Sequence, residues 1–188
     1  MIRKVQKYEI PQLYPFIHKI FTDMELPILN EINENLLEEI LIEAMHSPHY
    51  RYGYEHTWIC EREGEIAGVF FGYPGTWEPL IDGPLQVAML NHNFPIEAMT
   101  HEKESLPHEW YLDTLVTAPD FRRQGVGQEL IQGAFVEAKK AGYDTISLNC
   151  DVENTAAYHL YVKMGFVTKT KIVLSSHVYW HMVKKIEV

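Results

Sequence analysis

The chain has 188 residues, 46% of them hydrophobic and 12% aromatic, so a packed core needs no covalent staple. Sixteen basic against 26 acidic residues give a formal net charge of −10, which argues against a nucleic-acid partner and suits a cationic small substrate as well as plain solubility. The start, Met1-Ile-Arg-Lys-Val-Gln-Lys, lacks a signal peptide's apolar stretch, no apolar run nears the roughly 20 residues that span a bilayer, and Cys60 and Cys150 form neither a disulfide framework nor a Cys-x-x-Cys zinc pair. A cytoplasmic protein with no membrane partner is expected.

Pro11 stands at a first helical position, with Leu13, Phe16, Ile17, Ile20 and Phe21 at helical spacing behind it. Leu36, Leu37, Ile40, Leu41, Ala44 and Met45 mark a second amphipathic helix, stopped by Ser47-Pro48. Glu55 to Arg62 and Glu65 to Tyr73 read as the strands of a hairpin turning at Glu63-Gly64. The stretch from 74 to 107 carries Pro79, Pro84, Pro95 and Pro107 and looks irregular, with a short helix around Leu85 to Asn91. So long a connection suggests a binding loop or lid. Glu109 to Ala118 returns to strand character, and Gly127 to Ala141 is a helix stopped by Gly142. Thr145 to Cys150 reads as a strand, Asn154 to Met164 as a helix, and Phe166 to Leu174 with His177 to Ile186 as a closing hairpin. This order predicts one α/β domain over 1–188, built on a mixed sheet.

Between a strand and a helix lies Arg122-Arg123-Gln124-Gly125-Val126-Gly127. A helix start offers unpaired N–H donors and a partial positive charge, and glycines there let a pyrophosphate approach. The P-loop's Gly-Lys-Ser/Thr is missing, and Leu130 stands where a dinucleotide fingerprint needs glycine. A glycine-rich turn into a surface helix is the structural alternative.

The loop has the form Arg-x-x-Gly-x-Gly after Leu115-Val116-Thr117-Ala118-Pro119-Asp120-Phe121, and is followed by Asn154-x-x-Ala157-x-x-x-Tyr161-x-Lys163-x-Gly165-Phe166. Together these resemble the GNAT superfamily of CoA-dependent N-acetyltransferases. Agreement is strong from Trp110 to Val167 and weaker in the hairpin from Tyr54 to Gly72. The resemblance implies a mostly antiparallel sheet, helices on both faces and a central splay between two strands, with residues 110–167 as the acetyl-CoA-binding core. It places the pantetheine arm on the backbone of Leu115, Val116 and Thr117. The pyrophosphate then falls at Arg122, Arg123, Gln124, Gly125, Val126, Gly127 and Gln128. Asn154 matches an asparagine that contacts the CoA arm, although it also suits a helix N-cap. Ala157, Tyr158 and Tyr161 share its helix face, and Tyr161 matches the tyrosine that protonates the leaving thiolate.

For the base that frees the amine, the resemblance offers Asp113, strand alternation puts Glu109 on the same face as a second candidate, and the family's use of water chains adds a third possibility. The implied acceptor is a small-molecule or peptide amine. The insert at 74–107 is an acceptor-side flap or a homodimer contact, and Trp77, Phe94, Glu78, Asp82 and Glu97 are its candidate wall and carboxylates. His177, Tyr179 and His181 alternate onto one strand face, as an acceptor wall or as sheet packing rather than as a metal site. Cys150 reads as inert core. The rival reading is an acyl-CoA sensor without catalysis, which needs neither Tyr161 nor Asp113.

Overall fold

The computed structural model describes residues 1–95, 103–174 and 176–186. Strand β1 (Ile2–Lys4) precedes helices α1 (Tyr14–Asp23), α2 (Ile28–Glu31) and α3 (Glu34–Met45). The hairpin β2 (Thr57–Arg62) and β3 (Glu65–Pro74) leads to α4 (Gly83–Asn91). Then come β4 (Trp110–Thr117), α5 (Val126–Lys140), β5 (Thr145–Asp151), α6 (Thr155–Lys163), β6 (Val167–Leu174) and β7 (His177–Lys185). Among the described residues no helix is long and apolar enough to cross a membrane.

The seven strands form one open sheet in the order β1-β2-β3-β4-β5-β7-β6. Every neighbouring pair is antiparallel except β4 with β5. Helices cover both faces. On one, α1, α3 and α4 bury Ile17, Leu41, Met45 and Met89 over Ile59, Val69 and Phe71. On the other, Leu130, Ile131, Ala134 and Ala138 of α5 lie over Phe70, Trp110, Leu112 and Ile146. The 3.6-residue period of α5 and the two-residue alternation of β3 thus meet in two cores.

Local chemistry accounts for most element ends. Asn33 and Asn154 accept hydrogen bonds from the amides of Leu36 and Ala157, capping α3 and α6. Glu63 and Gly64, with φ of 53° and 83°, make the tight turn of the β2–β3 hairpin. Gly142, at φ 83°, ends α5 behind Lys139 and Lys140.

Three expectations change. Pro11 does not start the first helix: it sits in a 3-10 turn from Lys7 to Leu13, and α1 begins at Tyr14. Pro15 explains this, because in a continuous helix its ring would clash with the carbonyl of Pro11, whereas in a first turn it is tolerated. The stretch after β3 is less irregular than its prolines suggest, with a 3-10 turn at Gly75–Leu80 ahead of α4. Finally, β1 is too short to show alternation, yet it pairs with β2, and Arg3 anchors it by ion pairs to Glu9 and Glu61.

Two irregularities in β4 prepare a site. Phe71 lies opposite Thr114 while Gly72 lies opposite Leu112, so Asp113 is the extra residue of a β-bulge. On its other edge β4 pairs with β5 only at Trp110 and Tyr111 and then leaves it, which is the central splay. Gly72 sits at the bulge because a Cβ there would lie 2.1 Å from Cη2 of Trp110. Gly72→Ala should therefore displace the Trp110 indole and lower stability by about 1–3 kcal/mol, measurable by urea unfolding.

Candidate active site

The splay opens a cavity of about 520 Å³. Along β4 its wall runs from Tyr111 through Asp113 to Val116, and Asn149, Cys150 and Asp151 of β5 face it. Asn154, Ala157 and Tyr161 contribute from α6, Ile20, Asp23 and Met24 from α1, and Tyr179 from β7. Among the described residues no strand pairs with the β5-facing edge of β4 beyond Tyr111, which leaves backbone donors and acceptors open to an extended ligand.

A buried charge cluster forms one side. Arg51 is 4% exposed, and its Nε and Nη2 donate to Asp82 at 2.8 and 3.1 Å. Its Nη1 donates both to Glu104, at 3.0 Å, and to Asp113, at 3.2 Å. One guanidinium thus faces three carboxylates. Burial pushes Asp113 up, Arg51 pulls it down and Glu104 pushes it up again, leaving it at about 7. Tyr111 donates to Glu104 at 2.9 Å, and the Asn149 amide donates to the Glu104 carbonyl and to Tyr111 Oη at 2.9 and 3.0 Å. His181 Nδ1 lies 2.8 Å from Asn149 Oδ1, and its Nε2 lies 3.3 Å from Glu109.

Tyr161 completes the opposite wall. Burial, and then the Cys150 thiol beside it, raises its phenol above the ordinary range, so it keeps its proton at neutral pH. Burial pushes Cys150 itself up to about 11.

Past β4 the chain makes a 3-10 turn at Pro119–Phe121 and enters α5 through residues in the left-handed region, Arg123 at φ 57° and Gly125 at φ 85°. The first amides of α5 have no intrahelical acceptor. A Cβ on Gly125 would meet nothing within 4 Å, so glycine serves the backbone angle there. At Gly127 a Cβ would lie 3.3 Å from Leu160 Cδ2, so that glycine lets α5 approach α6.

Residues 17–166 match the sequence profile of the acetyltransferase (GNAT) family. The chain belongs to that family. A solved structure described as an acetyltransferase superposes with a TM-score of 0.90 at 38% identity, over 100% of both chains. An N-acetyltransferase from Staphylococcus aureus Mu50 shares the fold, with a TM-score of 0.84 at 24% identity over 98% of this chain and 100% of that one. An uncharacterized N-acetyltransferase of Methanocaldococcus jannaschii is 40% identical over 62 residues, which are 33% of this chain and 25% of that relative's length.

Within this GNAT fold Asp113, Leu115, Val116, Asn154, Ala157 and Tyr161 line one cavity. Other predicted residues stand apart from it. Tyr158 turns toward β6 and β7, with its ring centroid 6.4 Å from that of Trp180 and its hydroxyl 3.5 Å from Thr168 Oγ1. Val126 is buried, and Gln124 donates to the Asp120 carbonyl at 2.7 Å, so both offer the loop their amides rather than their side chains. Arg122 and Arg123 are exposed, and Thr117 and Gln128 are half-buried.

Glu109 lies behind the cavity. Burial, the largest single influence, would raise it, but the hydrogen bonds of His181 and Ser147, the charge of His181 and the Leu106 backbone together outweigh this and hold it below the usual carboxylate range. Of the insert's candidates, Trp77 meets the rings of His49 and His56, Phe94 joins the core under α1 and α3, and Asp82 binds Arg51. Glu97 lies outside the described residues. His177, Tyr179 and His181 do not converge: His177 is 3.8 Å from Asp151, while Tyr179 lines the cavity.

Sequence reasoning missed Arg51 and Glu104. Neither belongs to a motif, and only the fold brings them to Asp113.

Asp113 gives the cluster a pH signature. A carboxyl that is higher in the folded state than in the unfolded chain holds its proton more tightly when folded. It therefore favours folding at low pH, and that contribution fades as pH rises from about 4 to about 7. Asp113→Asn removes the effect, so the variant should gain stability relative to the parent between pH 5 and pH 8, as read by thermal unfolding at both.

Proposed function

We propose that the chain is an N-acetyltransferase that moves the acetyl group of acetyl-CoA directly to a small cationic primary amine within a ternary complex. The observation that carries this reading is the single cavity in which Asp113 and Tyr161 face the unpaired edge of β4. A sensor of acyl-CoA needs the β4 edge and the α5 amides but has no use for a carboxyl poised at about 7.

The residues present fit the donor. The first amides of α5 and the left-handed turn at Gly125 suit a pyrophosphate, and the open edge of Leu115 to Thr117 suits an extended amide-bearing arm. The bound donor supplies an acetyl thioester. The protein's task is to unmask the amine and to accept the charge that develops. A lysine-type amine has a pKa of about 10.4, so only roughly one molecule in a few thousand is neutral at pH 7. Asp113 takes the ammonium proton, and the freed nitrogen attacks the thioester carbon. A backbone N–H of β4 stabilises the oxyanion, and Tyr161 gives its proton to the departing sulfur. Tyr161 then regains a proton from the new amide nitrogen, and Asp113 passes its own to solvent. Asp23, Glu104 and Asp151 add negative charge to the cavity wall, which supports a cationic acceptor.

Thiol release from acetyl-CoA across polyamines, basic amino acids and neutral arylamines tests the reading. Cationic amines should react fastest. CoA binding without thiol release for any amine would favour the sensor, and a preference for arylamines would remove the charge argument. Tyr161→Phe should lower kcat about 10²-fold while leaving CoA affinity unchanged, because a leaving-group acid acts in the transition state. Gly125→Asp, at a left-handed position that aspartate tolerates better than most residues, should weaken CoA binding at least about tenfold by calorimetry.

A further inference from the structure

Glu104 lies between the sequence motifs and takes no part in the chemistry so far, yet it touches the same guanidinium nitrogen as Asp113. Its side chain is 11% exposed, and its second oxygen accepts from Tyr111 at 2.9 Å. The loop that carries it is pinned from below. The carboxylate of Glu78, in the 3-10 turn after β3, accepts the amide of Glu104, the amide of Ser105 at 3.1 Å and the hydroxyl of Ser105 at 2.8 Å. A carboxylate that collects two backbone amides and a hydroxyl fixes the loop rather than a ligand. Ser105 itself is buried.

We propose that Glu104 is the working partner of Asp113, two carboxylates sharing one nitrogen of Arg51, and that Glu78 is the positioning residue holding Glu104 in place. This rests on Asp113 as the base. One guanidinium charge is shared among three carboxylates, so the excess negative charge of Glu104 makes Asp113 a better proton acceptor, and an arriving ammonium finds more carboxylate charge than the guanidinium answers. Of the remaining groups around Asp113, Asp82 pushes in the same direction but less than Glu104. Arg51 and Tyr52 approach from the loop after α3, Asp82 from ahead of α4, Tyr73 from β3, and Tyr111 and Thr114 from β4 itself. Asp82 already takes two guanidinium donors, and the tyrosines stay neutral.

The test follows the Asp113 carboxyl directly, by carbon-13 NMR titration of protein labelled at the aspartate carboxyls, with Asp113→Asn assigning the signal. Glu104→Gln should lower the Asp113 midpoint by about one pH unit. Glu104→Asp, which keeps the charge, should leave it near the parent value. Glu78→Gln, which loosens the loop without touching the cluster, should shift it in the same direction as Glu104→Gln. A midpoint unmoved in folded Glu104→Gln overturns the pairing, and one unmoved in Glu78→Gln overturns the positioning role. Should Glu104→Gln not fold, an unmoved midpoint in Glu78→Gln overturns the pairing together with the positioning role.

The low-pH limb of kcat/KM with spermidine and acetyl-CoA should follow the NMR midpoint. A limb that stays while the midpoint moves removes Asp113 as the base and leaves the pairing intact.

Discussion

The parting of β4 from β5 after only two paired residues governs everything else in this molecule. A parallel pair that continued would satisfy both backbones and close the sheet. Here the bulge at Asp113 increases the local twist, and Gly72 opposite it accepts the Trp110 indole against its backbone. Hydrogen-bonding groups on one edge of β4 are left open, and an extra side chain is turned into the gap. The irregularity that weakens the sheet thus creates both the edge for an extended ligand and the carboxyl beside it.

Holding that carboxyl requires an unusual charge arrangement. Arg51 and its three carboxylates are buried with more negative than positive charge, and burial of unequal charge opposes folding. Glu109 and His181 show the contrasting solution a short distance along the sheet, a one-to-one pair whose carboxylate stays low. The difference separates the two base candidates physically. Glu109 is stabilised as an anion and lines a different hollow, with Leu106 and Lys169, whereas Asp113 is destabilised as an anion and lines the splay. A general base needs the second condition, since a carboxylate already content with its charge has little drive to take a proton.

Legibility in the sequence tracks how local each constraint is. The glycine turn at Gly125, the Asn154 cap and the period of α5 are written within a few residues, and each was readable, although the left-handed angle at Gly125 was not. The family resemblance pointed to Asp113, two residues before Leu115, and to a bulge in its strand, although not to the bulge falling at Asp113 itself. Arg51 and Glu104 could not be read, because their meaning comes from convergence across the fold and neither obeys a period. Glu78 and Asp82 looked like ligands for an ammonium group, when one braces a loop and the other braces Arg51. A carboxylate in a sequence gives no sign of whether its partner is substrate, arginine or backbone.

The net charge of −10 is a poor guide to the site by itself, because the charge is sorted along β4. At its far end the chain leads into Arg122, Arg123 and the open amides of α5, the positive end of a helix. Midway along it stands Asp113, with Glu104 beside it on the shared Arg51 nitrogen and Asp151 of β5 lining the same cavity. In the proposed reaction an anionic donor and a cationic acceptor must meet at one carbon without exchanging places, and this polarity gives each its own end. Between the two regions the wall is Leu115, Val116, Ala157 and Tyr161, largely apolar surface. A low-dielectric stretch there strengthens whatever dipoles face the reacting carbonyl and raises the cost of leaving a thiolate unprotonated. In the proposed reaction this places the greatest demand on Tyr161, a phenol that burial raises above its ordinary range.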